Sequence, residues 1–526
     1  MKKRKSKSMI RSALILSGAG AICKILGMVY RILLSNILGT QGMGNYQLAY
    51  SIYSMLLVAA SGGMPAALSA VVAKRFAKAD AQGAFEYLQA SRRIMGLLGV
   101  SFGLLLYIFS GLLAHWTGME SVESVLRAST PAVFFVAVTS AYRGFFQGAQ
   151  DMLPSAFSQI CEQIVKITAG VSLATRLVHK GDVYGAMGAM LGVTLSEGAG
   201  LIAIRISGRG RLLPRHKQKH WGRKAAELMK KALPITLGTA IIPILGSIDS
   251  LMSMKMLQRA GYSYDTASAL YGLYSGFVLP VVHLPGILAS AISVSLVPAI
   301  ASAIANDRKD LQRRQFSFGL KIMCVLGIPL SFGLWGLAQP ILSVLYRNLK
   351  MEEMMQAAEL LRLMAPCALF AMAAQVTGGM LQGMDHMTIP VINLAIGAVC
   401  KIALGSLLIG IPGIHIKGAA IGSTACYLTA AMLNTLAVLK YGNGEYRFAD
   451  CWLKPLVLSV VMLIAVCKSY EVLQGISSAL ALVCAIVCGA LIYTVGIFAS
   501  GALSRRDFSR QATEMPFYKR SRLPLL

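Results

Sequence analysis

A chain of 526 residues that is 56% hydrophobic and 14% charged, with a mean hydropathy of +0.63, is too apolar for a soluble domain, in which about a quarter of residues are charged. Its apolar stretches run for the length a helix needs to cross a hydrocarbon core of roughly 30 Å, which excludes a closed barrel of strands alternating over about ten residues. The formal net charge of +28 does not point to nucleic acid, because the basic residues cluster between the apolar stretches, where topology and anionic lipid heads account for them.

Fourteen membrane-spanning helices are predicted. The first, 12–37, follows the basic start MKKRKSKSMIR and carries Lys24 and Arg31, seven residues apart and therefore on one face. It is too long and too charged for a signal peptide and is read as a retained helix. The second, 44–64, ends in ASGGMPAALSA, where glycines and a proline invite a kink. Spans 94–115 and 124–147 follow, the latter with Arg127 and Arg143 at its two ends; 152–175 holds Glu162 and Lys166 as an i, i+4 pair, and 184–206 holds Glu197. After the basic stretch RGRLLPRHKQKHWGRK come 232–257 with Asp249, and 268–292 with Pro280, His283 and Pro285. The remaining spans are 318–345, 357–382 with Arg362, 388–411 with Lys401, 418–439, 453–471 and 477–502. Arg205, Lys255 and Lys321 lie near span ends, where long side chains reach the headgroups. With a cytoplasmic N-terminus the basic clusters all fall inside, so both termini are expected in the cytoplasm. The ten cysteines lie in or beside spans, with no disulfide framework and no zinc pattern.

Two stretches align without a gap: LRASTPAVFFVAVTSAYRGFFQGAQ and LRLMAPCALFAMAAQVTGGMLQGMD. Arg127 falls on Arg362, Pro131 on Pro366, Gly144 on Gly379, Gln147 on Gln382, Gly148 on Gly383 and Lys166 on Lys401, every pair 235 residues apart; Arg143 falls on Gly378. The shift moves span four onto span ten, an even displacement that preserves the direction of crossing, so the repeats are parallel. The expected organisation is an N-lobe of six helices over 1–206, a basic cytoplasmic linker 207–231, a C-lobe of six helices over 232–440, two further helices in 441–503, and a basic cytoplasmic tail 504–526. The fold class is all-α and polytopic, and two such lobes build a central cavity suited to alternating access.

Charges inside membrane helices cost about 2.5–3.5 kcal/mol on insertion scales and so usually face a bundle interior or a wet cavity. No acid in the first helix neutralises Lys24 and Arg31. Together with Arg127, Arg143 and Arg362 they are the expected substrate-binding residues of a positive cavity, which suits an anionic substrate; the arginine fork suits phosphate.

The motifs KILGMVYRILLSNILGTQGMGNYQ, GGMPAALSAVVAK and YRGFFQGAQDMLPSAFSQICEQIVK resemble the stage V sporulation protein B branch of the polysaccharide biosynthesis membrane proteins, in the multidrug/oligosaccharidyl-lipid/polysaccharide exporter superfamily. The resemblance covers essentially the whole chain. It implies a fourteen-helix, MATE-like flippase in the bacterial cytoplasmic membrane that moves a lipid-linked, diphosphate-bearing cell-wall precursor such as lipid II to the outer leaflet. Its last two helices are expected to hold the polyprenyl tail, and its basic first-helix positions fall on Lys24 and Arg31. It also implies a sodium ion as coupling ion, with Asp249, Asn393 and Thr424 as ligands; a second acid expected one turn after the Asn falls on Gly397.

An ion-coupled multidrug exporter of the same superfamily is the first alternative, but it would want acids rather than arginines in the first lobe. A polytopic glycosyltransferase acting on polyprenyl-linked sugars is the second, but the short outer loops offer no paired carboxylates for catalysis. The expected partners are the membrane and a lipid-linked oligosaccharide, with no nucleic acid, and the expected state is a monomer without enzymatic activity.

Overall fold

The computed structural model describes residues 2–117, 121–209, 221–411, 413–442 and 449–503, apart from the side chains of 2–17, 116, 117, 242, 449 and 450. The regular elements among them are helices: α1 (Lys2–Ser61), α2 (Met64–Ala77), α3 (Ala81–Thr117), α4 (Val122–Gly148), α5 (Leu153–Val178), α6 (Asp182–Ser207), α7 (Trp221–Arg259) and α8 (Tyr264–Gly272). A π-helical segment, Leu273–Val278, leads into α9 (Leu279–Val282) and α10 (Pro285–Ala305). Then come α11 (Lys309–Gly336), α12 (Ala338–Leu345), α13 (Met351–Gly383), α14 (Thr388–Ile409), α15 (Lys417–Gly442), a second π turn Ala449–Leu453, α16 (Lys454–Leu473) and α17 (Ser478–Ala499).

Local chemistry sets the breaks. Gly39 takes φ 65° and ψ −171°, a conformation open to glycine, and divides α1 into two helices. Pro280 and Pro285 start α9 and α10, where a missing N–H costs nothing, so the single span expected over 268–292 is interrupted. Asp80 precedes α3, accepting from the Gly83 N–H at 2.7 Å and pairing with Arg75 at 2.9 Å. Those two contacts, the backbone N–H first, hold its carboxyl below the usual carboxylate range.

By length and hydropathy, twelve helices among the described residues can cross a membrane. The sequence reading has fourteen. One continuous stretch, Gly18–Ala77, covers the first two expected spans, and α5 is not among the twelve because its glutamines, Glu162 and Lys166 dilute its hydropathy.

The chain divides into two compact units, Met1–Gly276 and Phe277–Leu526. In the first, α7 packs on α1, α2 and α3, and α8 packs on α1. The repeat boundary and the packing boundary therefore differ, and missing side chains explain why. A methyl group at Gly63 would lie 2.1 Å from the Ala232 carbonyl, and one at Gly44 would lie 2.1 Å from that of Ser268; the Gly63 N–H also donates to Thr236 Oγ1 at 3.0 Å. The centre of the expected linker, 210–220, and the tail 504–526 lie outside the described residues. In the second unit α16 and α17 pair with each other and with α11, where the Tyr493 hydroxyl donates to the Val325 carbonyl at 2.7 Å.

The duplication reappears in the packing of each unit. Gly144 and Gly148 of α4 let it press on α2, where added methyl groups would lie 2.8 Å from Pro65 and 2.6 Å from the Ser69 carbonyl. Gly379 and Gly383 of α13 do the same against Ser293 and Val297 of α10, at 2.8 and 3.0 Å. Both helices then end in the same turn, with Gln150 and Asp385, again 235 apart, at φ 60° and 68°. In the first unit α5 and α6 meet where a methyl on Gly192 would lie 2.2 Å from the Gly170 Cα. Gly192→Ala should therefore cost about 1–3 kcal/mol through overpacking and lower the thermal midpoint of the detergent-solubilised protein. Gly238→Ala, with nothing within 4 Å of the added methyl, should leave the midpoint unchanged or raise it by an amount worth up to ~1 kcal/mol.

Candidate functional site

The turn joining α4 to α5 sets the two helices side by side, and Arg143 meets Glu162. One guanidinium nitrogen lies 2.7 Å from Glu162 Oε2 and 3.2 Å from Ser158 Oγ, and that hydroxyl donates in turn to the Gly200 carbonyl at 2.9 Å. The two side chains are only 20% and 13% exposed. One turn further along α5 the Lys166 ammonium sits 5.8 and 5.5 Å from the ring centroids of Tyr30 and Tyr50, within cation–π range. Tyr50 stacks on Tyr46 and leans on Tyr53, at 5.7 and 5.9 Å between centroids. From α6, Glu197 is 7% exposed and lies within electrostatic reach of Glu162, Arg143 and Lys166. The first unit thus holds a polar core of two cations, two carboxylates and four tyrosines among otherwise apolar helices.

Two of the predicted site residues border this core. Lys24 is exposed on α1, directly after Cys23, which feels the charges of Glu162 and Arg143. Arg31 is half-buried and acts electrostatically on Tyr30 and Tyr46. Arg143 belongs to the core itself. Arg127 does not: it sits near the opposite end of α4, ion-paired with Glu123, bonded to Ser110 Oγ at 3.2 Å and 5.0 Å from the Tyr107 ring centroid. There it lines a separate cavity of about 450 Å³ with Ser124, Ala128, Met187 and Leu191. Glu123 balances its charge there. Arg362, its repeat equivalent, is exposed on α13 within electrostatic reach of Cys467 on α16. Equal positions in the repeat have therefore acquired unlike neighbours.

The three residues expected to bind sodium are not gathered by either unit. Asp249 is buried on α7 in the first unit, while Asn393 and Thr424 belong to the second. Asn393 donates to Asn434 Oδ1 at 2.8 Å, and Thr424 donates to the Ala420 carbonyl at 3.0 Å on its own helix. Gly397 lies against Cys426, and Gly422 against Lys401, which fixes the antiparallel register of α14 and α15. In that register Thr424 lies level with a point on α14 about six residues beyond Asn393, a rise of roughly 9 Å, and Asn393 reaches the other way, to Asn434. An acid at 397 is excluded as well, since even a methyl group there would lie 2.4 Å from the Cys426 carbonyl. Within the second unit the donors are two separated neutral oxygens, which do not fit a sodium site.

Sequence reasoning registered Glu162 and Lys166 as an internal pair but missed the partnership of Glu162 with Arg143, the approach of Glu197 and the tyrosine wall. Two signals were available. Tyr46, Tyr50 and Tyr53 follow helical spacing on one face. The 235-residue shift also sets the trio Arg143, Ser158 and Glu162 onto Gly378, Asn393 and Gly397, so the ion pair is lost from the second copy at both ends at once.

Residues 9–304 match the family described as polysaccharide biosynthesis protein, and residues 274–407 match the MatE family. Stage V sporulation protein B of Bacillus subtilis (strain 168) is 25% identical over 96% of this chain and 98% of its own length. Lipid II flippase MurJ of the same organism is 27% identical over 88% of each chain. Among solved structures, Lipid II flippase MurJ in an inward closed conformation superposes with a TM-score of 0.69 at 18% identity, covering 95% of this chain and 99% of that one. An inward-facing multidrug resistance MATE family transporter of the MOP superfamily gives 0.63 at 15%, covering 82% and 98%. The all-helical, MATE-like fold expected from the sequence is thereby established.

The two arginines of α4 should respond differently to truncation. Arg143→Ala strands Glu162 in a low-dielectric interior and should cost about 3–5 kcal/mol, read as a lowered thermal midpoint. Arg127→Ala breaks a half-exposed pair and should cost about 0–1 kcal/mol.

Proposed function

We infer the function from one premise: the chain belongs to the polysaccharide biosynthesis protein family, whose match spans more than half of its length. It is a transporter of the MOP superfamily that flips a polyprenyl diphosphate-linked cell-wall sugar, lipid II or a close relative, to the outer leaflet of a bacterial plasma membrane. The observation that carries this reading is the charge around the polar core of the first unit. Arg143 and Lys166 in the core, with Arg31 and the exposed Lys24 at its border, supply four cations near the two carboxylates of Glu162 and Glu197. An interior with surplus positive charge favours an anionic headgroup and disfavours the lipophilic cations of a multidrug exporter. The names of the relatives, lipid II flippase among them, support the same substrate class.

The residues divide the work by their partners. Arg143 is held by Glu162 and Ser158 and keeps α4, α5 and α6 in register. Lys24 and Arg31, whose own helix offers no acid, meet the diphosphate, with Arg31 able to donate two parallel hydrogen bonds. Both termini lie in the cytoplasm, where the basic segments face anionic lipid heads, and alternating access carries the headgroup across.

In proteoliposomes with fluorescent lipid II, Arg31→Ala protein inserted at normal levels should flip about tenfold more slowly, the loss of roughly 1.4 kcal/mol expected for one charge-assisted contact. Flipping at the wild-type rate by both Arg31→Ala and the Lys24→Ala, Arg31→Ala double variant would remove the proposed role of these residues. Failure of the wild-type chain to move lipid II, or to restore growth of a flippase-depleted strain, would exclude that substrate.

A further inference from the structure

Glu197 is buried on α6, and headgroup binding does not require it. It is 7% exposed, and no hydrogen bond or ion pair joins it to any described residue. Three helices pack against α6 around it. From α4 comes Arg143, already committed to Glu162; from α5 come Glu162 itself and Lys166, whose ammonium is taken up by two tyrosine rings. From α1 comes Tyr53, 1% exposed, whose hydroxyl is buried without a hydrogen-bond partner and within electrostatic reach of Glu197. Tyr46, Tyr50 and, further along, Cys23 and Arg31 complete the titratable groups on that side.

A carboxylate buried in an apolar bundle with no hydrogen bond of its own is costly, and the lower-energy alternative is to take up a proton. The neighbours are arranged for both states. Protonated, Glu197 is neutral and leaves Arg143 to Glu162. Ionised, it becomes a second anion for a guanidinium whose Nε is buried and unpartnered, and an acceptor for the free Tyr53 hydroxyl. We propose that Glu197 is a proton-binding site and that the first unit takes up and releases one proton at this carboxyl, with Arg143 and Tyr53 receiving the ionised form. The proton comes from and returns to the aqueous phase, and the net charge of the unit changes by one. The repeat gives the second unit no equivalent of the Arg143–Glu162 pair, whose positions there are Gly378 and Gly397, so the site is confined to the first.

The test needs no transported substrate, so its outcome is separate from that of the lipid II assay. Infrared difference spectra between acidic and alkaline buffer are recorded on the full-length chain in phosphatidylethanolamine–phosphatidylglycerol liposomes. Wild type should show the carbonyl stretch of one buried carboxylic acid that fades as the buffer turns alkaline and moves to lower frequency in D2O. Glu197→Gln should lose that band, and Glu123→Gln, altered outside the core, should keep it. Should Glu197→Gln fail to insert, Glu197→Asp decides: a band at shifted frequency or midpoint supports the site. A wild-type spectrum without the band, or one unchanged in Glu197→Gln or in Glu197→Asp, overturns it.

Discussion

A helix can lie against the backbone of another only where it lacks a side chain, and this constraint organises the chain more than any other. Membrane helices gain little from hydrophobic burial against one another, because lipid tails are as apolar as leucine, and so association rests on close packing and on a few polar contacts. Here the close packing is placed by glycines, at repeated positions in 144 and 148 of α4 and 379 and 383 of α13, and in one copy alone at 192 of α6 and 397 of α14. Each marks a point where two helices touch and where their register is set.

The same constraint decides where polar chemistry can be held. At positions 143 and 162 the first unit spends space on an arginine and a glutamate, which bridge α4 and α5 through a charge-assisted bond. At the matching positions 378 and 397 the second unit has glycine, and α15 moves into the vacated volume against Cys426. One copy of the repeat therefore joins its helices through charge and the other through contact. The ion-paired copy has a polar interior to which Lys166, Glu197 and the tyrosines can attach, whereas at the position matching Ser158 the contact copy has Asn393, hydrogen-bonded to the neutral Asn434.

This division explains what could be read from the sequence. Helix existence, the repeat and the membrane setting depend on composition and spacing within a helix, and Pro131 and Pro366 or Gly148 and Gly383 carry that signal directly. The partner of a charge depends on which helices meet, so Arg127 could be aligned with Arg362 without revealing that Glu123 neutralises the first. The boundary at residue 206 follows the duplicated sequence. The compact unit instead continues to Gly276, because Gly63 and Gly44 accept the carbonyls of Ala232 and Ser268 at a distance no side chain would permit.

Arg143 and Arg127 lie on one helix, four and a half turns apart by their sixteen-residue spacing, yet the two ends of that helix meet different dielectric surroundings. At the exposed end the pair with Glu123 is screened and contributes little to stability. At the enclosed end the pair with Glu162 loses most of its hydration, and its strength comes from the absence of water that also makes it costly to disturb. A third ionisable group brought into that enclosure, Glu197, meets a guanidinium already paired with Glu162 through one nitrogen and buried without a partner at its Nε. The sequence of α4, α5 and α6 therefore sets two carboxylates around one arginine, and uptake or release of a proton at the second changes the charge of the enclosure by one while the first pair stays in place. A single ion pair would have only one stable arrangement; adding the second carboxylate is what gives the interior of this unit two states.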